Sequence, residues 1–223
     1  MAFIDFINSL SEENKNNYNK YSKIRGAQQY RIIYETLYKI NTNVTYKDVN
    51  SFIICDKAIK DVLFTYLGTL EEAIRNDILS KFDFESADGL KNKYKYFDNK
   101  FPKTKCIRKN VVPYEVTEFY KRFALNFGGM VLFIKEFMKD EYDCKKLDTI
   151  VELRNNVMHH SPLLFNCNFE STAINTMAGI QTLVDMLPAS YRISLITKLK
   201  VPNESTKKNI ASYYYDLLLF KEK

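Results

Sequence analysis

The chain has 223 residues and a net charge of +6, with 16 tyrosines, 16 phenylalanines and no tryptophan. That length fits one domain with appendages and a sizeable core. A hydrophobic content of 46% excludes a disordered chain, and only six glycines and five prolines disfavour a turn-rich β-sandwich. The four cysteines are far apart and form no CxxC pair. Reduced thiols in a cytoplasmic protein are therefore expected, not a disulfide framework or a zinc site. The opening MAFIDFINSL has an early acid and no basic n-region, so no secretory signal is expected. No apolar run is long enough to span a bilayer, and no membrane partner is expected.

A polar, asparagine-rich stretch, Glu12 to Lys20, leads into a helical pattern near Tyr30 to Ile40. Thr45 or Asp48 can cap the next helix. That helix is predicted to run to about Phe82, because Leu63, Leu67, Leu70, Ile74 and Ile78 recur at three- and four-residue steps. From Asp83 to Pro113 the periodicity fails, and Gly89, Pro102 and Pro113 punctuate it. Helical spacing resumes from Tyr114 to about Lys139, with a bend expected at Gly128-Gly129. Its Phe and Met stripe from Phe127 to Met138 reads as core. A further helix is predicted from about Lys145 to His160, stopped before Pro162. Glu170 to Leu187, Tyr191 to Leu199 and Ser205 to Phe220 read as three more. There is no βαβ alternation and no internal repeat, so the fold class is all-α, a helical bundle. A basic loop or insertion, about 84–113, separates the long second helix from the third helical segment. Residues 1–44 are expected to form an N-terminal helical extension, 45–200 the main helical domain, and 201–223 a C-terminal helix packing on it.

The positive charge is local. Between Lys91 and Lys109 stand Lys91, Lys93, Lys95, Lys100, Lys103, Lys105, Arg108 and Lys109 against the single acid Asp98. This leaves the segment at +7, more than the +6 of the whole chain, so the remainder carries −1. Tyr94, Tyr96, Phe97 and Phe101 interleave with the lysines. Cations neutralise phosphates and aromatic rings stack on unpaired bases, so the segment is a candidate RNA-binding element. Charge runs of this kind also occur as solvated faces with no ligand.

The stretch LRNNVMHHSP, Leu153 to Pro162, contains both histidines of the chain. At about 100° per residue, Leu147, Ile150, Val151, Leu153, Val157 and Met158 fall in one arc, with Arg154 near its middle. An arginine there is costly unless paired, and Asp77 in the stripe of the earlier helix is a candidate partner. Asn155 and His159, at i and i+4, share a face beside the stripe, with Asp148 and Glu152 on the same flank. His160 faces elsewhere. One reading is structural: a paired core arginine, and histidines at a helix C-terminus where positive charge is favoured. The other is chemical. Imidazole exchanges a proton near neutral pH, a guanidinium binds phosphate and stabilises charge on it, and an amide orients its neighbours. Together these suit metal-independent RNA cleavage, in which the 2′-hydroxyl attacks the adjacent phosphate. Nothing in the sequence shows metal-ligand spacing, so neither metal nor cofactor is expected. Such cleavage normally uses two proton-transfer groups. The two histidines are adjacent and face different ways, so a second copy of His159 from another chain, and hence a homodimer, is expected.

RNNVMHH resembles the RN-x3-H motif of the HEPN superfamily of helical ribonucleases and RNA-binding domains. The wider context is similar to its Abi-like branch, the abortive-infection AbiD/AbiF type. YLGTLEEAIRNDI (Tyr66 to Ile78) resembles that branch's Glu–Arg segment, LNFGGMVLFIKEF (Leu125 to Phe137) its mid-chain FG turn, and LRNNVMHHSPLLFN (Leu153 to Asn166) its RN-x3-HH segment. The three stand in the family's order and span roughly Thr45 to Leu199. An arginine that usually follows the two histidines is replaced here by Pro162 and an extra leucine. The resemblance implies a HEPN-type helical bundle that dimerises, with a composite ribonuclease site built from Arg154, Asn155 and His159 and with His160 as an auxiliary. It also implies an antiphage or toxin-like effector, which an antitoxin or inhibitor would hold silent. The alternative within the same family is a non-catalytic RNA-binding protein acting with a small non-coding RNA. On either reading Lys91, Lys93, Tyr94, Lys95, Tyr96, Lys103, Lys105, Arg108 and Lys109 are the candidate RNA contacts.

Overall fold

A computed structural model describes residues 3–40, 42–82, 87–104, 125–159, 163 and 169–204. Among them are nine α-helices and no strand, an all-α fold. In chain order these are α1 (Phe3–Ser9), α2 (Glu12–Arg25), α3 (Ala27–Ile40), α4 (Tyr46–Phe82), α5 (Ala87–Lys100), α6 (Phe127–Phe137), α7 (Cys144–Met158), α8 (Phe169–Met186) and α9 (Ala189–Glu204). The chain divides into two compact units. One comprises Met1–Tyr66 with Leu153–Lys223, the other Leu67–Glu152. The boundaries fall inside α4 and inside α7.

In the first unit, aromatic rings join the N-terminal helices. Phe6 of α1 stacks on Tyr34 of α3 at 4.2 Å, and Tyr18 of α2 meets Tyr30 edge-on at 5.3 Å. Gly26, at φ +89°, turns the chain between α2 and α3 in a conformation that costs a side chain most. Its N–H donates to the Ser22 carbonyl. The asparagine-rich stretch after Glu12 is thus helix α2, capped by the Ser11 hydroxyl. At the start of α4, Thr45 and Asp48 form a reciprocal cap. The Thr45 N–H donates to Asp48 Oδ2 at 2.9 Å, and the Asp48 N–H donates to Thr45 Oγ1 at 3.3 Å. On α9, Ser194 accepts from the Tyr66 hydroxyl at 2.7 Å while Leu195 and Leu199 are buried.

In the second unit the expected α4 stripe is present: Leu67, Leu70, Ile74 and Ile78 are all buried, as is Leu63 in the part of α4 that belongs to the first unit. The Phe and Met stripe after Phe127 is core as expected, with Phe127, Met130, Phe133 and Met138 buried. Two expectations need correction. The basic segment is not a loop throughout, because α5 occupies Ala87–Lys100. Phe97 is fully buried there, packing on Phe101 at 4.8 Å and on Phe133 of α6 at 5.3 Å. Nor does a helix bend at Gly128-Gly129: α6 begins there. Asn126 is its cap, and the Asn126 side-chain oxygen accepts from the Gly129 N–H at 2.8 Å. The part of the helix predicted from Tyr114 that precedes Leu125, and the helix predicted from Ser205 to Phe220, lie outside the described residues, as does the segment Tyr213 to Phe220.

Candidate functional site

The Asp143 carboxylate opens α7 by accepting from the Lys145 and Lys146 N–H groups at 3.0 and 3.2 Å. Leu147, Ile150, Leu153 and Val157 are the buried positions of this helix. Its apolar face is therefore centred on Ile150 and Val157, not on Arg154. Arg154 lies on the border of that face with Val151 and Met158, and all three are half-buried. Asn155 and His159 are exposed. They are one helical turn apart, and the His159 N–H donates to the Asn155 carbonyl at 2.9 Å. His159 is the first residue beyond the helix. The three motif residues thus share the last turn of α7, with amide and imidazole in solvent and the guanidinium half-sunk beside them. His160 lies outside the described residues. Asp77, the candidate acid in the stripe of α4, accepts from the Tyr142 hydroxyl. Burial, and then that carboxylate, push the Tyr142 hydroxyl far above the ordinary phenol range.

Two backbones support the motif. On α8, Gly179 faces Leu153, where an added methyl would stand 3.1 Å from Leu153 Cβ. Just past the motif, Leu163 is held at both of its backbone groups. Its N–H donates to Asp56 Oδ1 at 2.8 Å, and its carbonyl accepts from Thr176 Oγ1 at 2.6 Å. The Lys60 ammonium in turn donates to the other oxygen of Asp56. Burial pushes the Asp56 carboxyl above the ordinary carboxylate range, against the opposing pull of Lys60 and of the Leu163 N–H. Asp56, Lys60 and Thr176 are the buried polar side chains found among the described residues, and all belong to this one network. Sequence reasoning misses them. The signal it could use is an acid and a base four apart among Phe52, Ile53, Cys55, Ile59 and Leu63, all buried.

In the second unit Glu71 pairs with Arg75 at 3.7 Å, and Arg75 donates to the Leu125 carbonyl at 2.9 Å, immediately before the Asn126 cap of α6.

The basic candidates scatter. Lys91, Lys93, Tyr94, Lys95 and Tyr96 lie in α5 and Lys103 just beyond it, whereas Lys105, Arg108 and Lys109 lie outside the described residues. Lys95 and Lys103 are exposed and Lys93 is half-buried. Tyr96 is exposed, yet its hydroxyl donates to Glu136 at 3.0 Å and its ring meets Phe137 edge-on at 6.1 Å. Lys100 is committed to Glu136 at 2.7 Å. Phe97 and Phe101 are packed on one another rather than displayed. Among the described residues no three His, Cys, Asp or Glu side chains are grouped as metal ligands would be. Nor is any described helix long and apolar enough to cross a membrane. No family model, no curated protein and no solved structure matches the chain.

Proposed function

We propose that the chain is a metal-independent RNA endonuclease of the HEPN Abi-like type, acting as a homodimer in the cytoplasm in an abortive-infection or toxin-like role. The observation that carries this reading is the last turn of α7, where Asn155 and His159 are solvent-exposed one turn apart beside a half-buried Arg154. The ordered resemblance of three segments to the family supports it. In the reaction, the 2′-hydroxyl oxygen attacks the adjacent phosphorus as its proton passes to one His159 imidazole. The bond to the 5′-oxygen of the next nucleotide breaks, and that oxygen takes a proton from the His159 of the second copy. The products are a 2′,3′-cyclic phosphate and a 5′-hydroxyl end. Arg154 holds the phosphate oxygens as charge builds, and Asn155 orients the imidazole. Removing a proton-transfer group typically costs 10²–10⁴-fold.

The test is cleavage of total cellular RNA and of defined oligonucleotides, by wild type and by His159→Ala, with and without chelator. Wild-type activity that survives EDTA and falls at least about 100-fold in His159→Ala supports the reading. Full activity in His159→Ala, or its complete loss with EDTA, overturns it. Mixing His159→Ala chains into wild type lowers activity beyond simple dilution if two copies build each site. A second reading draws on the exposed Lys95 and Lys103. On that reading the protein binds a small non-coding RNA without cutting it, and sequencing of co-purified RNA returns one abundant species rather than scattered ends.

A further inference from the structure

Buried charge is expensive unless it is paired and hydrogen-bonded. Asp56 is 2% exposed, Lys60 6% and Thr176 3%, so this unit has taken an ion pair and a hydroxyl out of water. Two of these side chains reach the same residue, one from each side. Asp56 takes the N–H of Leu163 and Thr176 gives its hydroxyl to the carbonyl. Leu163 is itself buried at 1% exposure. Both of its backbone polar groups are therefore held. Only the three residues His160, Ser161 and Pro162 separate it from His159. On the other side of His159, the helical bond to the Asn155 carbonyl holds the backbone.

We propose that Asp56 is a positioning residue for His159, acting through the Leu163 N–H. The catalytic consequence rests on the ribonuclease reading above; the geometric consequence does not. α7 ends at Met158, and the His159 N–H makes its last helical bond, to the Asn155 carbonyl. A tether at Leu163 supplies the constraint that the helix stops giving. Lys60 offsets the burial of the carboxylate by donating to the oxygen that Leu163 does not use. Thr176 contributes the matching restraint on the carbonyl.

The test separates the acceptor from the charge. Asp56→Ala alone is a poor probe, since it leaves the buried Lys60 ammonium without that carboxylate and endangers the fold. Two double variants avoid this. In Asp56→Leu with Lys60→Met the pair becomes apolar and Leu163 loses its acceptor. In Asp56→Asn with Lys60→Met the charge is equally gone, but an amide oxygen still faces the Leu163 N–H. Thermal unfolding establishes that both are folded. The expected result is a kcat lowered about 100-fold in the Leu–Met variant with KM nearly unchanged, because a displaced catalytic group costs rate rather than binding. The Asn–Met variant restores most of it. Independently of cleavage, the His159 imidazole is followed in carbon–proton NMR spectra, assigned with a His160→Gln variant. Its signals coincide in wild type and the Asn–Met variant and are displaced or broadened in the Leu–Met variant. Identical kcat and superimposed His159 signals in both double variants overturn the proposal. Should wild type prove inactive on RNA, the nuclease reading falls and the NMR comparison alone decides the positioning role.

Discussion

Gly128 and Gly129 are neighbours in the first turn of α6, yet replacing each by alanine has opposite consequences. A methyl on Gly129 would lie 2.7 Å from Thr104 Cγ2 and 2.9 Å from Leu125 Cδ2, with the capping Asn126 Oδ1 at 3.3 Å. The first two are closer than carbon atoms can sit. Leu125 and Gly129 are buried, so the leucine tip can move aside only against its packed neighbours. Overpacking of this kind costs about 1–3 kcal/mol. The helix preference for alanine over glycine returns at most about 1 kcal/mol. With the full propensity gain returned, Gly129→Ala still loses up to about 2 kcal/mol net on these two figures. At Gly128 the nearest atom to an added methyl is Asn126 Oδ1 at 3.7 Å, an ordinary contact. There the propensity term acts unopposed, and Gly128→Ala gains up to about 1 kcal/mol. The two variants should thus straddle wild type in urea, with unchanged slope and midpoints displaced in opposite directions. Equal shifts of the same sign would refute the steric account of Gly129 and leave glycine there as a matter of helix propensity alone.

If the basic segment tracks an RNA backbone, replacing Lys93, Lys95, Lys103 and Lys105 by Gln flattens the dependence of log affinity on log salt, by about 0.7 for each phosphate no longer neutralised. Superimposed lines for wild type and this variant would make the lysines a solvated face. The pair between α5 and α6 has a pH signature. Lys100, then the Tyr96 hydroxyl, holds the Glu136 carboxyl below the ordinary carboxylate range. A depressed carboxylate contributes stability above its unfolded-state pKa and loses it as pH falls through the folded value. Lys100→Met should accordingly move the Glu136 titration upward, read by NMR, and remove part of the acid-side fall in stability. An unchanged Glu136 titration would show that Lys100 does not stay on Glu136 in solution.

Where a helix buries a stripe on one side and wets the other, the sequence announces it, as Leu63 to Ile78 of α4 do. Two helices hide for opposite reasons. α2 buries none of its side chains, so it has no apolar period; its ties are polar or aromatic, such as the Ser11 cap, the Tyr18 ring and the Arg25 guanidinium, which donates to Asn50 of α4 at 2.9 Å. Along α5 and just past it, Leu90, Tyr94, Phe97 and Phe101 stand at steps of four, three and four in the sequence. The lysines between them drown that period in any average, although a lysine can lay its stem along a helix and keep its charge in water. A Gly-Gly pair reads as a bend because glycine weakens a helix interior. In a first turn the same residues cost less, and here Gly129 makes room for Thr104 and Leu125.

The motif is legible as chemistry, but its depth in the protein is not. An apolar arc drawn from side-chain types alone gives Val151 and Met158 the same weight as Ile150 and Val157. That places Arg154 at the centre. The burial pattern decides otherwise, since Leu147, Ile150, Leu153 and Val157 are buried while Val151, Arg154 and Met158 are only half-buried. Asp56 and Lys60 escape notice because an acid and a base four apart on a helix are normally a solvated pair. Only a residue 107 positions away in the chain, Leu163, reveals their burial. This division bears on how the site can be interrogated. Exposed positions away from packing change stability by no more than about 0.5 kcal/mol when substituted. Losses of function at Asn155 and His159 can then be assigned to chemistry. A loss at half-buried Arg154 mixes chemistry with packing, and its substitution is informative only alongside an unfolding measurement on the same variant.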